Sequence, residues 1–591
     1  MSTMVTTAIS VTVILNKVDS LMVISNMMIR NILSCVMLPL ASMVMAQVSP
    51  AATVKVEMSG DTSLVVSGES AGGWLPVMKI SCNEITGVTD EGSHDVDYTM
   101  MTGKRLVCHN GYSSYSYRLA SGDTLVMRVY NDGVAWSGCH DYRIDVPDAS
   151  HSWLMKWTDS YEGFFLRDRD DLAEGFRIGY PSLFEYGDRS LFMLLSESGI
   201  DRESAASSLY TGTVPGEFYI RPDGTESPGW QTAIIGSLAD VVGSTLVNDN
   251  SCPSRISDTS WISPGVASWI YWAYNHGSND YDIICRYVDM AYEMKLPYVL
   301  IDAEWDEMKR GKTVLDAVAY ARERGVKPLI WYNSSVGWID GAPGPKFRLN
   351  DPADREKEFE WCEANGIAGV KIDFFSGDTN RNLRYMVELL ECAARHHLLV
   401  NFHGATIPRG LQRTYPNLVS VEGVYGAEWY NNVPTFTDKA AAHNATLPFT
   451  RNVIGSMDYT PCAFTDSQHP HITTDAHELA LTVLYESGIQ HLADRPESFL
   501  SQPAEIRDFL TALPAAWDDT MLIDGYPGDY VVMARRKGDR WYIAGINGTD
   551  SARDITLDLS RMPGIPSVKS TLIADGADGW KIVKTNTRKV T

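Results

Sequence analysis

From residue 259 to about 514 the chain repeats one pattern eight times: a short apolar run closing on polar residues, then a stretch with apolar residues at helical spacing. The runs are Trp269–Trp272, Tyr298–Trp305, Lys327–Asn333, Gly369–Asp373, Leu398–His403, one running into Glu422, and two near Val453–Asp458 and Ile489–Asp494. Intervening helices include Tyr281–Met294, Val314–Arg324 with Gly325 as its stop, and one whose apolar face is Leu383, Met386, Leu389, Leu390 and Ala393. Parallel strands need crossover connections, and these are right-handed. Eight such units therefore predict a (β/α)8 TIM barrel, whose C-terminal strand ends share one mouth whatever their separation in sequence.

The flanks obey a different period. Residues 47–258 carry short β-branched or aromatic runs between Gly, Asp, Asn and Ser turns, with no long helix, which predicts a large antiparallel N-terminal β-sandwich. After the helix Glu505–Leu513, alternation returns around Lys537-Gly538-Asp539, predicting a small C-terminal β-sandwich over 515–591. At 591 residues the chain is too long for one core, so several domains are expected.

Residues 1–46 read as a signal peptide. Arg30 precedes the apolar run Ile32–Met45, and Val44-Met-Ala46 places small residues for cleavage before Gln47. Residues 1–26 read as an upstream extension, with the start at Met27 or Met28. The apolar run is too short for a membrane span. An exported protein, periplasmic or on the cell surface, is expected. Of the eight cysteines beyond the leader none has CxxC or Cys/His ligand spacing, which argues against a zinc site. In an exported chain Cys82, Cys108 and Cys139 are candidates for one or two disulfides.

A net charge of −24 argues against nucleic acid, whose phosphates require clustered cations. Sixteen Trp and 28 Tyr suit a neutral, hydroxyl-rich ligand. Asp302, Glu304, Asp373, His403, Glu422, Glu428, Asp458 and Asp494 all fall at predicted strand ends or just beyond. Each alone is an ordinary salt-bridge or capping residue. Together they suit an oxocarbenium-like transition state, in which two carboxyl groups flank a glycosidic bond. Asp373 and Glu428 are the candidate pair.

Gly369-Val-Lys-Ile-Asp373-Phe-Phe, Val400-Asn-Phe-His-Gly404-Ala-Thr-Ile-Pro-Arg409-Gly, Arg413-Thr-Tyr-Pro416 and Glu422-Gly-Val-Tyr-Gly-Ala-Glu428-Trp resemble glycoside hydrolase family 97. That family holds inverting and retaining enzymes. Inverting members carry a glutamate directly after the Asn-x-His of strand five, where this sequence has Gly404, and a carboxylate after strand three, where it has Asn333. Retaining members place an aspartate at the end of strand four, the position of Asp373. The resemblance thus implies a retaining enzyme with Asp373 as nucleophile and Glu428 as general acid/base, which requires carboxyls about 5–5.5 Å apart.

It further implies a calcium ion held by Glu197 of the N-terminal domain with Glu422 and Glu428, oxygen ligands of the kind that ion takes. Asp302, Trp305, His403 and Asp458 are the expected substrate-binding residues, with Trp331 and Trp429 as further stacking candidates and Arg409 and Arg413 as orienters of carboxylates. Asn401 would pack or orient strand five. The implied activity is an α-galactosidase acting on an oligosaccharide or on polysaccharide side chains. A β-L-arabinopyranosidase or an α-glucosidase is the alternative within the family. A non-catalytic carbohydrate-binding protein on a decayed barrel is the alternative of another class, and keeping both Asp373 and Glu428 speaks against it.

Overall fold

The structure, a computed structural model of the chain, describes residues 11–16, 46–271, 277–430, 433–466, 469–558, 562, 568–577 and 579–587. Its centre is a parallel sheet of seven strands curved into a barrel: β1 (Gly265–Trp269), β2 (Tyr298–Ile301), β3 (Lys327–Asn333), β4 (Gly369–Asp373), β5 (Leu399–Phe402), β6 (Leu418–Val421) and β7 (Ile489–Leu492). Neighbours pair in sequence order, and β1 also pairs with β7. Nearly every strand residue is buried on both faces, as a parallel sheet clothed in helices requires.

The helices begin and end where their caps dictate. Asn380–Arg395 starts at Thr379, whose side chain accepts the Asn382 amide, and buries the predicted stripe from Leu383 to Ala393. Pro352–Asn365 starts at Asp351 and stops at Gly366, which takes the left-handed conformation.

The strand expected near Val453–Asp458 does not form. Two 3-10 turns, Leu447–Phe449 and Arg451–Val453, precede an extended segment that fills the gap between β6 and β7. There the Asp458 amide donates to the Val421 carbonyl (3.1 Å) and the Met457 amide to that of Glu486 (2.9 Å). The ladder cannot continue, because Thr460 and Cys462 have positive φ (56° and 74°) and Pro461 between them has no N–H. The first strand also starts earlier than expected, at Gly265, where a Cβ would lie 2.5 Å from Pro297 Cγ. Trp272, placed in that strand by sequence, lies outside the described residues.

The N-terminal domain is a 16-stranded antiparallel sheet folded over on itself. One of its inner strands, Leu191–Ser198, is buried along its whole length and pairs with Arg177–Tyr186 and Trp230–Gly236. In the C-terminal domain the described strands form one six-stranded sheet. Arg535 ties one side of it to the barrel helix Asp475–Leu484 through the carbonyls of Val483 and Leu484. A cluster of Val532, Trp541 and Ile543 with Ile555, Leu557 and Met562 packs the other.

Within the predicted leader, Val11–Asn16 is a strand of this sheet, antiparallel to both Arg540–Asn547 and Val568–Gly576. The apolar run Ile32–Met45 lies outside the described residues. Cys82, Cys108 and Cys139 are free thiols. Among the described residues no helix is long and apolar enough to cross a membrane.

Candidate active site

Side chains two apart on a strand share a face, so Lys371 and Asp373 both project into the barrel mouth while Val370 and Ile372 pack outward. Asp373 is fixed at three points. Its Oδ2 accepts the Trp331 indole N–H (3.1 Å) and lies 3.8 Å from Lys371 Nζ, and its Oδ1 accepts the Phe374 amide (2.7 Å). Lys371 also bridges to Asp302 Oδ2 at 3.1 Å, and that oxygen accepts the Trp269 indole N–H (2.8 Å). Burial disfavours the Lys371 charge, yet Asp302, Asp373, Glu428 and Glu422 around it hold its pKa above the ordinary value. Burial holds the Asp373 carboxyl above its ordinary value, with Lys371 and His403 opposing part of the rise.

Glu422 and Glu428 follow β6. Glu422 is buried, which works against its charge, but His403 at 3.3 Å and the Gly404 amide (2.7 Å) hold it below the usual carboxylate range. Glu428 sits in the 3-10 turn Ala427–Trp429, whose position is fixed by the Tyr271 hydroxyl donating to the Glu428 carbonyl (2.5 Å). Burial and then the charge of Glu422 push its pKa well up. Both carboxyls of the expected pair are raised, Glu428 the further, while Asp373 keeps a cation and two N–H donors.

Gly404 is packed directly against Asp373. It has φ +47°, and a Cβ there would lie 2.8 Å from both Asp373 Oδ1 and the Phe374 nitrogen. The Asp373 carboxylate therefore occupies the space into which a side chain at 404 would grow.

Asp302, Asp373, Glu422 and Glu428 line one cavity of about 840 Å³, and the N-terminal domain closes it with Glu162. Sequence reasoning missed Glu162. It lies in a loop between strands of the N-terminal domain, accepts the Trp429 indole N–H (2.6 Å), and is raised to about 8 by burial and then by the charge of Glu422.

Glu197, the expected N-terminal calcium ligand, lies elsewhere. It is fully buried and committed to Arg409, the Ser207 amide and the Ser207 hydroxyl (2.7 Å), so its oxygens are not available at the cavity. Arg409 also reaches Asp378 (3.2 Å) and the Tyr161 hydroxyl (2.9 Å), and that hydroxyl donates to Asp378 (2.8 Å). Glu197 thus belongs to a clamp on the residue preceding Glu162.

Three other expected substrate contacts lie off the cavity wall. Trp305 follows Glu304, which has φ +67°, and turns inward to stack on Trp361 (5.9 Å, 9°) and to donate to the Trp331 carbonyl (2.6 Å). His403 lies behind Glu422, its Nε2 2.7 Å from Asp458 Oδ2. That same oxygen takes Asn401 Nδ2 and His491 Nδ1, both at 2.6 Å, so Asp458 anchors a buried network. Arg413 donates to the carbonyls of Asn248 and Asp249 at the domain junction, and Asp494 caps local N–H and hydroxyl groups. Trp331 and Trp429 do line the cavity.

The donor chemistry fits a hard cation. Three carboxylates, Glu162, Glu422 and Glu428, line the same cavity, and after burial the charge of Glu422 is the next cause that raises both Glu162 and Glu428. Oxygens of Glu422 and Glu428 come within 4.8 Å of one another and of a His403 nitrogen. Both His403 nitrogens already face carboxylates.

Comparison with known proteins agrees with this geometry. Family models for the glycoside hydrolase 97 N-terminal, catalytic and C-terminal oligomerisation domains match residues 64–253, 268–424 and 516–591. A probable retaining α-galactosidase of Streptomyces bingchenggensis is 38% identical over 489 residues, covering 77% of this chain and 72% of its own. A retaining α-galactosidase of Bacteroides thetaiotaomicron is 32% identical over 551 residues, covering 80% of each. The crystal structure of a β-arabinopyranosidase superposes with a TM-score of 0.82 at 26% identity, covering 92% of this chain and 97% of that one. A family 97 enzyme from Pseudoalteromonas sp. strain K8 in complex with acarbose shares the fold, with a TM-score of 0.77 at 19% identity over 93% and 97% of the two chains. The chain belongs to glycoside hydrolase family 97.

Proposed function

We propose that this chain is an exported, calcium-dependent retaining α-galactosidase that removes terminal α-galactosyl residues from oligosaccharides or polysaccharide side chains. The observation that carries the retaining assignment is the contact at Gly404: the Asp373 carboxylate fills the room that an inverting base at 404 would need. Asp373 attacks the anomeric carbon, its charge held by Lys371 and its orientation by Trp331 and the Phe374 amide. Glu428 gives its proton to the departing glycosidic oxygen. The sugar is then esterified to Asp373, and Glu428 takes a proton from the water that releases it, so two inversions give net retention.

Calcium, when bound by Glu162, Glu422 and Glu428, supplies fixed positive charge beside these carboxyls. Export rests on the leader sequence, and the galactosyl preference on the two curated relatives. The arabinopyranosidase neighbour supports a second reading with the same mechanism on a sugar lacking the exocyclic carbon. Proton NMR of the first product from an α-galactoside tests the stereochemistry. The α-anomer is expected, and initial release of the β-anomer overturns the assignment of Asp373 as nucleophile.

A further inference from the structure

The cavity has more room than one pyranose ring fills, and its rim carries a large aromatic face that the mechanism does not use. Trp338, in the loop after β3, is 51% exposed, yet it lines the same cavity as the buried Asp373 and Lys371. We propose that Trp338 is the floor of a second sugar-binding position, which receives the leaving-group sugar of an oligosaccharide substrate. This rests on the glycosidase reading above and adds a substrate class to it.

The ring is held ready. Its N–H donates to the Asp340 carbonyl (2.8 Å), so its one polar atom is satisfied within the loop and an apolar face is left towards solvent. The ring packs edge-on against Phe374 at 4.9 Å and 74°. The loop is bonded directly to the end of β4: the Gly337 amide to the Phe374 carbonyl (3.0 Å), the Ser334 amide to the Asp373 carbonyl (2.8 Å) and the Ser334 hydroxyl to the Phe374 carbonyl (2.9 Å). A Cβ on Gly337 would lie 2.4 Å from the Phe374 oxygen, so only glycine permits this approach. Lys346 ties the far side of the loop through the carbonyls of Ile339 and Ala342. The platform is therefore in register with the nucleophile and needs no rearrangement to meet a ligand.

Depth assigns the side of the bond. Trp331, 1% exposed beneath Asp373, together with Lys371 and Asp302 surrounds the inner end, where the sugar to be transferred must sit. A half-exposed indole at the rim faces what leaves. The C–H face of a pyranose covers such a ring, while Asp306, Glu307 and Lys346 in the lining of the same cavity offer partners to its hydroxyls.

The test compares two donors of the same glycone: α-galactosyl fluoride, whose leaving group is a single atom, and galactose α-1,6-linked to glucose. Trp338→Ala should lower kcat/KM on the disaccharide by about tenfold, chiefly through KM, and leave the fluoride within about twofold of wild type. Trp338→Phe should recover most of the loss. An equal effect of Trp338→Ala on both donors, whether none or large, overturns the proposal. If wild type cleaves β-L-arabinopyranosyl fluoride and not the galactosyl fluoride, only the glycone is wrong, and the same comparison with an arabinopyranosyl disaccharide decides the role of Trp338. If wild type cleaves no glycosyl fluoride, the function falls and the platform with it.

Discussion

Two clusters of buried charge share the junction of the N-terminal domain and the barrel, and they are built to opposite rules. Around Arg409, Glu197 takes the Arg409 guanidinium and the Ser207 amide and hydroxyl, and Asp378 takes Arg409, Trp157, Tyr161 and Thr406. Around the cavity, Glu162, Asp373, Glu422 and Glu428 gather beside Lys371 and His403, and burial, then the charge of Glu422, drives both Glu162 and Glu428 towards protonation. Burial is common to both, so burial does not tell them apart. Pairing does: the acids of the first cluster are matched by Arg409 and by amide, indole and hydroxyl donors across the domain junction, whereas the second sets four carboxyl groups along one cavity.

Substitutions should divide along that line. The largest effect is expected for Asp373→Asn, which should lower kcat/KM by more than about 10⁴-fold while the melting temperature stays the same or rises, because it relieves crowding. A lower melting temperature would break the comparison. Arg409→Leu should do the reverse, destabilising the fold by about 3–5 kcal/mol by leaving Glu197 and Asp378 buried without their cation. Urea denaturation measures it, and a loss typical of a surface change would remove the clamp.

A chelator should abolish activity and added calcium restore it. Glu162→Gln should weaken calcium affinity by about 10–100-fold, whereas Glu197→Gln should lower stability and leave that affinity alone. Isothermal titration of the metal-free protein separates them.

The smallest effect concerns buried groups without charge. Burial pushes His477 down to about 3 and His443 to about 4, so both stay neutral in the fold while the unfolded chain takes up protons below its ordinary value of about 6.5. Stability is therefore lost as pH falls, by about 2 kcal/mol per histidine between pH 7 and 5. His477→Gln should flatten that part of the profile in urea melts, and an unchanged slope would remove His477 as its source.

The barrel and its carboxylates were legible because local and global signals agree there. Gly369–Asp373 reads as a strand, ends on a polar residue and needs no partner to reveal its direction. The segment at Val453 and Ile454 misleads because both residues are apolar, although Pro461 already argues against a ladder. Trp305 fails for a reason that spacing does not carry: the left-handed backbone at Glu304 turns the next side chain inward. Glu162 is invisible in the sequence, since a single acid in a loop of a β domain has no period and no motif. Its meaning comes from contact with a turn some 270 positions away, the separation of Glu162 from Trp429. Glu197 has the right domain and the right residue type for a calcium ligand, and only its pairing with Arg409 corrects that assignment.

The crowding at Gly404 also says something about redesign. One chain cannot house both the carboxylate at 373 and a side chain at 404, since the first atom of the second would strike the first. A side chain at 404 therefore requires the carboxylate at 373 and the backbone at Phe374 to move, so the two positions are coupled by space. A redesign that adds a side chain at 404 while keeping Asp373 meets a collision before it meets any chemistry.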